Sequence, residues 1–239
     1  MTKHGGIIID EPLTIKTPDG TFQAYVVRPR ALPLATIVVI QEIFGVNADL
    51  RETCNELAAN GYVAVSPDLF WRMQPGVDMS DRTEEEWKAG MTFYMGFDLE
   101  AGVSDIEATM RTVRGMYGAP EKVGLLGFCL GGLMTFITSA RHGPDAAVAY
   151  YGGNTDMHLT EAKTLSTPLM IHLAEDDEYI PSLAQTKIKA ALNDLANVEI
   201  YSYPACHHAF ARHRGVHYDT SAAELAGRRT AEFFGVYLA

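Results

Sequence analysis

Val123-Gly-Leu-Leu-Gly-Phe-Cys-Leu-Gly-Gly132 is the stretch that decides the fold. Its first half, up to Leu126, is a short apolar run of the kind that forms a strand buried on both faces. Its second half is Gly127-Phe128-Cys129-Leu130-Gly131-Gly132, after which a helical pattern begins. A strand, a tight Gly-x-Cys-x-Gly turn and a helix make up the context of a nucleophile elbow, usually written with serine. The glycines have a steric purpose, because a turn that pushes one side chain out at the sheet top leaves no room for neighbouring Cβ atoms. Cys129 would sit at a helix N-terminus, where unpaired N–H groups and the helix dipole favour a thiolate. A buried structural cysteine is the plainer reading of such a turn, but the flanking strand, the helix and the third glycine weigh against it. A phosphate-cradling loop is excluded, since the Lys-Ser/Thr of that motif is absent.

Outward from the elbow, short apolar runs alternate with amphipathic stretches. Strands are expected at Phe22–Val27, Thr36–Ile40, Tyr62–Ser66, Val123–Phe128, Ala146–Tyr151, Leu169–Leu173 and Val198–Tyr203. Helical patterns cover 48–60, 83–95, 99–117, 132–141, 182–195 and 220–237. This alternation predicts an α/β protein, a mostly parallel sheet with helices on both faces. All of 1–239 is expected to form a single domain, with 68–98 an irregular excursion rich in aromatic residues and methionine. That excursion is either a pocket wall beyond the strand ends or a surface helix with an apolar underside.

Composition narrows the function. Thirty acids against 19 bases leave a net charge of −11, which argues against a nucleic-acid or anionic-membrane surface. Three cysteines, an odd number in a long chain, do not make a disulfide framework. No N-terminal apolar run reaches the ~7–15 residues of a signal peptide, so a cytoplasmic location is expected.

An elbow predicts an acid and then a histidine, in that order, after later strands. Ala174-Glu-Asp-Asp-Glu-Tyr-Ile-Pro181 follows one strand, and Pro204-Ala-Cys-His-His-Ala-Phe210 follows the next. Spacing does not choose among the four acids. His213 and His217 are four apart, but Gly215 interrupts them and no His-Glu-x-x-His occurs, so neither a metal nor another cofactor is expected.

With Gln41-Glu-Ile-Phe-Gly-Val-Asn47, Pro67-Asp-Leu69, Phe97-Asp-Leu-Glu-Ala-Gly102, the elbow and His208-Ala-Phe-Ala-Arg212 all in order, the chain resembles the dienelactone hydrolases (carboxymethylenebutenolidases). The resemblance covers nearly the whole chain and implies an α/β-hydrolase fold. It implies Cys129, Asp177 and His208 as the catalytic triad, with Glu42 helping to generate the thiolate. It implies backbone N–H groups of Ile43 and Leu130 as the oxyanion hole, and Arg212, Phe44 and Tyr94 as substrate contacts. Arg212 would meet a substrate carboxylate, a group guanidinium binds bidentately. The chain departs from the family at the second substrate arginine: Trp87 stands there, with Lys88 and Arg82 nearby, and Tyr94 replaces a pocket tryptophan.

The expected activity is cysteine-dependent opening of a dienelactone-like lactone through an acyl-enzyme. A general carboxylesterase or thioesterase acting on neutral esters or lactones is the alternative. The expected partner is this small-molecule substrate, with no nucleic acid or membrane, in a monomer or small homo-oligomer. Outside the hydrolases, a redox pair of Cys129 and Cys206 and a binding protein with a spent site are the other classes.

Overall fold

The computed structural model describes residues 6–239. The chain enters through β1 (Ile7–Ile9), β2 (Leu13–Thr17) and β3 (Gly20–Pro29), and continues through β4 (Thr36–Ile40), α1 (Ala48–Ala59) and β5 (Val63–Pro67). Next come α2 (Glu84–Gly96), α3 (Leu99–Val113), β6 (Val123–Phe128), α4 (Leu130–His142) and β7 (Ala146–Tyr150). The last elements are β8 (Leu169–Ala174), α5 (Ser182–Leu192), β9 (Val198–Tyr203) and α6 (Thr220–Tyr237). Among the described residues these strands form one sheet in the order β1-β3-β5-β4-β6-β7-β8-β9, with β2 also paired to β3.

From β5 to β9 the strands are parallel; β3 joins antiparallel to β5, and β1 and β2 join antiparallel to β3. The central strands β4, β5, β6, β7 and β8 are buried at every residue, as strands covered on both faces must be. The connection from β4 through α1 steps to one side of the sheet, and that from β6 through α4 steps to the other. With right-handed crossovers, opposite steps put the two helices on opposite faces. The order therefore reverses between β4 and β6, where a crevice opens beyond the strand ends. The Gln41–Asn47 loop and Cys129 both leave the sheet there.

Three expected helices differ in extent, the one over 182–195 ending at Leu192. The pattern over 99–117 ends as a helix at Val113, because Gly115 turns left-handed (φ 69°) and a separate 3₁₀ turn follows at Met116–Gly118. The pattern starting at 132 begins at Leu130, since Cys129 itself is the N-cap position. β1 and β2 have no counterpart among the expected strands; each is too short, and too exposed on one side, to stand out from its neighbours. Among the described residues no helix is long and apolar enough to cross a membrane.

Candidate active site

Cys129 is held in an unusual backbone conformation, φ 53° and ψ −115°, between β6 and α4. Its N–H donates to the Tyr150 carbonyl at 3.1 Å, and its own carbonyl accepts from Leu133 N–H at 3.1 Å. The glycines around it have no alternative. A Cβ on Gly127 would lie 2.1 Å from the Gly131 carbonyl oxygen, and one on Gly132 would lie 2.4 Å from that of Tyr150. A Cβ on Gly131 would meet the Ile40 oxygen at 2.4 Å. The elbow is thus wedged against the end of β4, next to the loop that carries Glu42 and Ile43. Left-handed φ recurs around it at Tyr151, Asn154 and Ala209, so backbone strain gathers at this end of the sheet.

His208 follows β9 and Asp177 follows β8, so adjacent parallel strands deliver them side by side. His208 Nδ1 lies 2.9 and 3.0 Å from the two Asp177 carboxylate oxygens. Asp177 Oδ1 also accepts from Tyr179 N–H at 2.8 Å and Ile180 N–H at 3.0 Å, which fixes the carboxylate before it fixes the ring. Both side chains are nearly inaccessible, at 6% and 0% exposure. Edge-to-face contacts from Tyr151 (5.1 Å) and Tyr179 (4.8 Å) hold the imidazole plane. Burial alone would lower the His208 pKa, but the charge of Cys129 and the hydrogen bond that Nδ1 donates to Asp177 outweigh it and raise the value to about 10. Nε2 is buried without a hydrogen bond of good geometry inside the protein, leaving it open toward the cysteine side.

Cys129, His208, Ile43, Leu130, Phe44, Tyr94 and Arg212 line one cavity of about 320 Å³. From α2, Trp87 and Met91 join Tyr94 in its wall. This helix can approach because Gly90 lies against Phe44 and Ile43, where a Cβ would come within 3.1–3.2 Å of them. The segment before α2 is pinned as well: Met79 N–H donates to the Phe44 carbonyl at 3.0 Å and Asn47 Nδ2 donates to the Met79 carbonyl at 2.8 Å. Tyr94 is held by Asn154, whose Nδ2 donates to its hydroxyl at 2.6 Å. Leu130 N–H belongs to the first turn of α4, where amides have no intrahelical acceptor.

Glu42 and Arg212 are brought together as a buried ion pair. Arg212 Nε donates to Glu42 Oε2 at 2.5 Å, and no hydrogen bond joins Glu42 to the Cys129 thiol. Arg212 Nη1 donates to Asp81 Oδ2 at 2.6 Å. Its guanidinium also lies over the Phe44 ring, 4.9 Å from the centroid. Burial would lower the Arg212 pKa, and the surrounding carboxylates, Glu42 first, raise it further above its ordinary value. Neither Asp81 nor Tyr151 was marked by the sequence. Asp81 sits in a stretch without periodicity, and Tyr151 looks like one more residue of its strand.

Cys54, Cys206 and His213 do not line this cavity, whereas His217 does. Cys54 is fully buried in α1 and Cys206 is buried beside the His208 loop; burial pushes both thiols up, away from the thiolate. His213 Nε2 pairs with Glu56 at 3.3 Å, while His217 Nδ1 lies 3.1 Å from the His208 carbonyl. Among the described residues no group of His, Cys, Asp and Glu is arranged to hold a metal ion.

A candidate carboxymethylenebutenolidase of Azospirillum brasilense is 43% identical over 222 residues, covering 92% of this chain and 95% of the relative. The carboxymethylenebutenolidase of Pseudomonas putida is 36% identical over 227 residues, covering 95% of this chain and 96% of its own. Among solved structures, a candidate dienelactone hydrolase from Klebsiella pneumoniae superposes with a TM-score of 0.85 at 25% identity, over 98% of this chain and 100% of that one. The model of the dienelactone hydrolase family matches residues 22–238, and the chain belongs to that family of α/β-hydrolases.

Proposed function

We propose that this protein cleaves a lactone or carboxylic ester through an acyl-enzyme formed on Cys129. Family membership makes the chain a hydrolase of ester or lactone bonds. What supports the covalent route is one observation: Cys129 lies at a helix N-terminus in the same cavity as an imidazole that Asp177 orients through Nδ1.

The Cys129 thiolate attacks the carbonyl carbon. The tetrahedral oxyanion is received by backbone N–H groups of Leu130 and Ile43, and a donor of this kind is worth about 3 kcal/mol in the transition state. Collapse breaks the C–O bond, and His208 protonates the departing oxygen; in a lactone that oxygen stays tethered to the acyl group. Water then enters, His208 removes its proton as the O–C bond forms, and the C–S bond breaks to release the acid and restore the Cys129 thiolate beside the protonated His208. Asp177 holds the imidazole in the tautomer that leaves Nε2 facing the reaction, and stabilises the imidazolium. Proton transfer by a positioned imidazole contributes roughly 10²- to 10⁴-fold. The name of the Pseudomonas putida relative points to a lactone, a carboxymethylenebutenolide, as the substrate of that enzyme.

The test is hydrolysis of p-nitrophenyl acetate and a dienelactone by wild type and by Cys129→Ala, with circular dichroism and thermal melting of both. The variant should keep its fold and lose turnover of both substrates. Retained turnover in a folded Cys129→Ala protein would overturn the assignment.

A further inference from the structure

Among the described residues lining the cavity, Arg212 is the sole lysine or arginine, and so the one guanidinium a substrate carboxylate could pair with there. Its charge is already matched twice, by Glu42 at Nε and by Asp81 at Nη1. The three side chains are 8%, 9% and 4% exposed, so water does little to loosen the pairs, and breaking one would strand a buried charge. One cation between two carboxylates leaves this wall net negative, and a third acid, Asp49, lies close enough for its charge to be felt by the group.

The unused hydrogen-bonding capacity points the same way. Glu42 Oε1 and Asp81 Oδ1 are both buried without a partner. Asp81 faces the cavity itself, whereas Glu42 lies behind it. A ligand approaching Arg212 therefore meets a carboxylate first. Asp81 is not free to swing away, because the oxygen that takes Arg212 Nη1 also accepts from Val216 N–H at 3.0 Å, tying the segment before α2 to the loop after His208. Ile43, Phe44, Trp87 and Met91 make an apolar part of the same wall.

We propose that this cavity selects esters and lactones whose acyl portion is uncharged, and that Asp81 sets the selection by neutralising Arg212 on the substrate side. The inference rests on the reading of Cys129 as the nucleophile of an ester-cleaving site. An anionic acyl group must approach Asp81 as a like charge in a sheltered site and compete for a guanidinium already bound. The net charge of −11 adds a repulsive field outside the cavity and does not offset this.

The experiment compares 4-nitrophenyl hydrogen adipate with its methyl ester, a pair that differs in the distal charge and one methyl group. Wild type should prefer the methyl ester in kcat/KM by at least ~10-fold, the scale of a like charge a few ångströms away. In Asp81→Asn that preference should shrink at least ~5-fold, since the amide keeps an oxygen for Val216 N–H but removes the charge. Glu85→Gln removes an equal charge from an exposed position on α2 and should leave the preference as in wild type. A wild-type preference for the free acid, an unchanged preference in Asp81→Asn, or an equal shift in Glu85→Gln would each overturn the proposal. Should Asp81→Asn not fold, the salt dependence of wild type decides: kcat/KM for the anion should rise with ionic strength, and a fall would mark an attractive cationic site and refute it. Failure of wild type to cleave either ester would instead defeat the reading of the site itself.

Discussion

Gly131→Ala tests whether the elbow must be wedged against the end of β4. The added Cβ would lie 2.4 Å from the Ile40 oxygen and 2.7 Å from the Gln41 oxygen, both of them backbone. Ordinary C···O contacts begin near 3.3 Å, so the two segments must part by roughly 0.6–0.9 Å. Overpacking of this kind costs about 2 kcal/mol. At ~2–4 °C per kcal/mol for a chain of this size, Tm should fall by about 4–8 °C. Activity should suffer more than stability does. The displaced segment runs directly into Glu42 and Ile43, so the Ile43 N–H would move away from the place proposed for the oxyanion. A misplacement approaching 1 Å costs on the order of 100-fold in rate. Differential scanning fluorimetry and kcat/KM for p-nitrophenyl acetate give the two numbers. Gly235→Ala is the control, because its Cβ would meet nothing within 4 Å on α6. Wild-type Tm and wild-type kcat/KM in Gly131→Ala would refute the reasoning.

Asp177→Asn should keep the fold, since an amide oxygen can still accept from Tyr179 and Ile180, while kcat falls by as much as ~10⁴-fold because the imidazole loses its orienting anion; a loss under tenfold would show that Asp177 does not serve His208. Buried His172, bonded to Tyr203 (2.8 Å) and Thr230 (3.2 Å), has its pKa lowered to about 3 by burial and by the charge of Arg229. Unfolded histidine binds its proton near pH 6.5, so stability from keeping His172 neutral is complete above that and is lost as pH falls toward 3. Urea melts of wild type and His172→Gln between pH 4.5 and 8 should therefore converge as pH drops; parallel curves would contradict the buried neutral histidine.

How far the sequence foretold this depends on what kind of signal each residue carries. The elbow was legible because its glycines, strand and helix are all local, and each glycine proves to stand where a Cβ would strike backbone. His208 and Asp177 fall at the ends of adjacent strands, so chain order alone brought them near, and the family resemblance chose Asp177 from its acidic neighbours. The partners of Arg212 were not legible. Its pairing with Glu42 spans 170 residues and its pairing with Asp81 spans 131, and no periodicity links such positions. The helix over 99–117 stops early for a local reason, since an amphipathic pattern does not reveal that Gly115 takes a left-handed φ. Tyr151 shows the same limit: it continues the apolar run of β7 in sequence but leaves the strand at φ 36° to pack against His208.

The central claim is that the acyl group passes through the sulfur of Cys129. The most direct measurement is rapid acid quenching of wild type during turnover of p-nitrophenyl acetate, followed by intact-mass and peptide mass spectrometry. The account predicts a transient gain of one acetyl group on the peptide bearing Cys129, and none in Cys129→Ala. An acetyl group on another residue throughout turnover, or full turnover with Cys129 never modified, would contradict it.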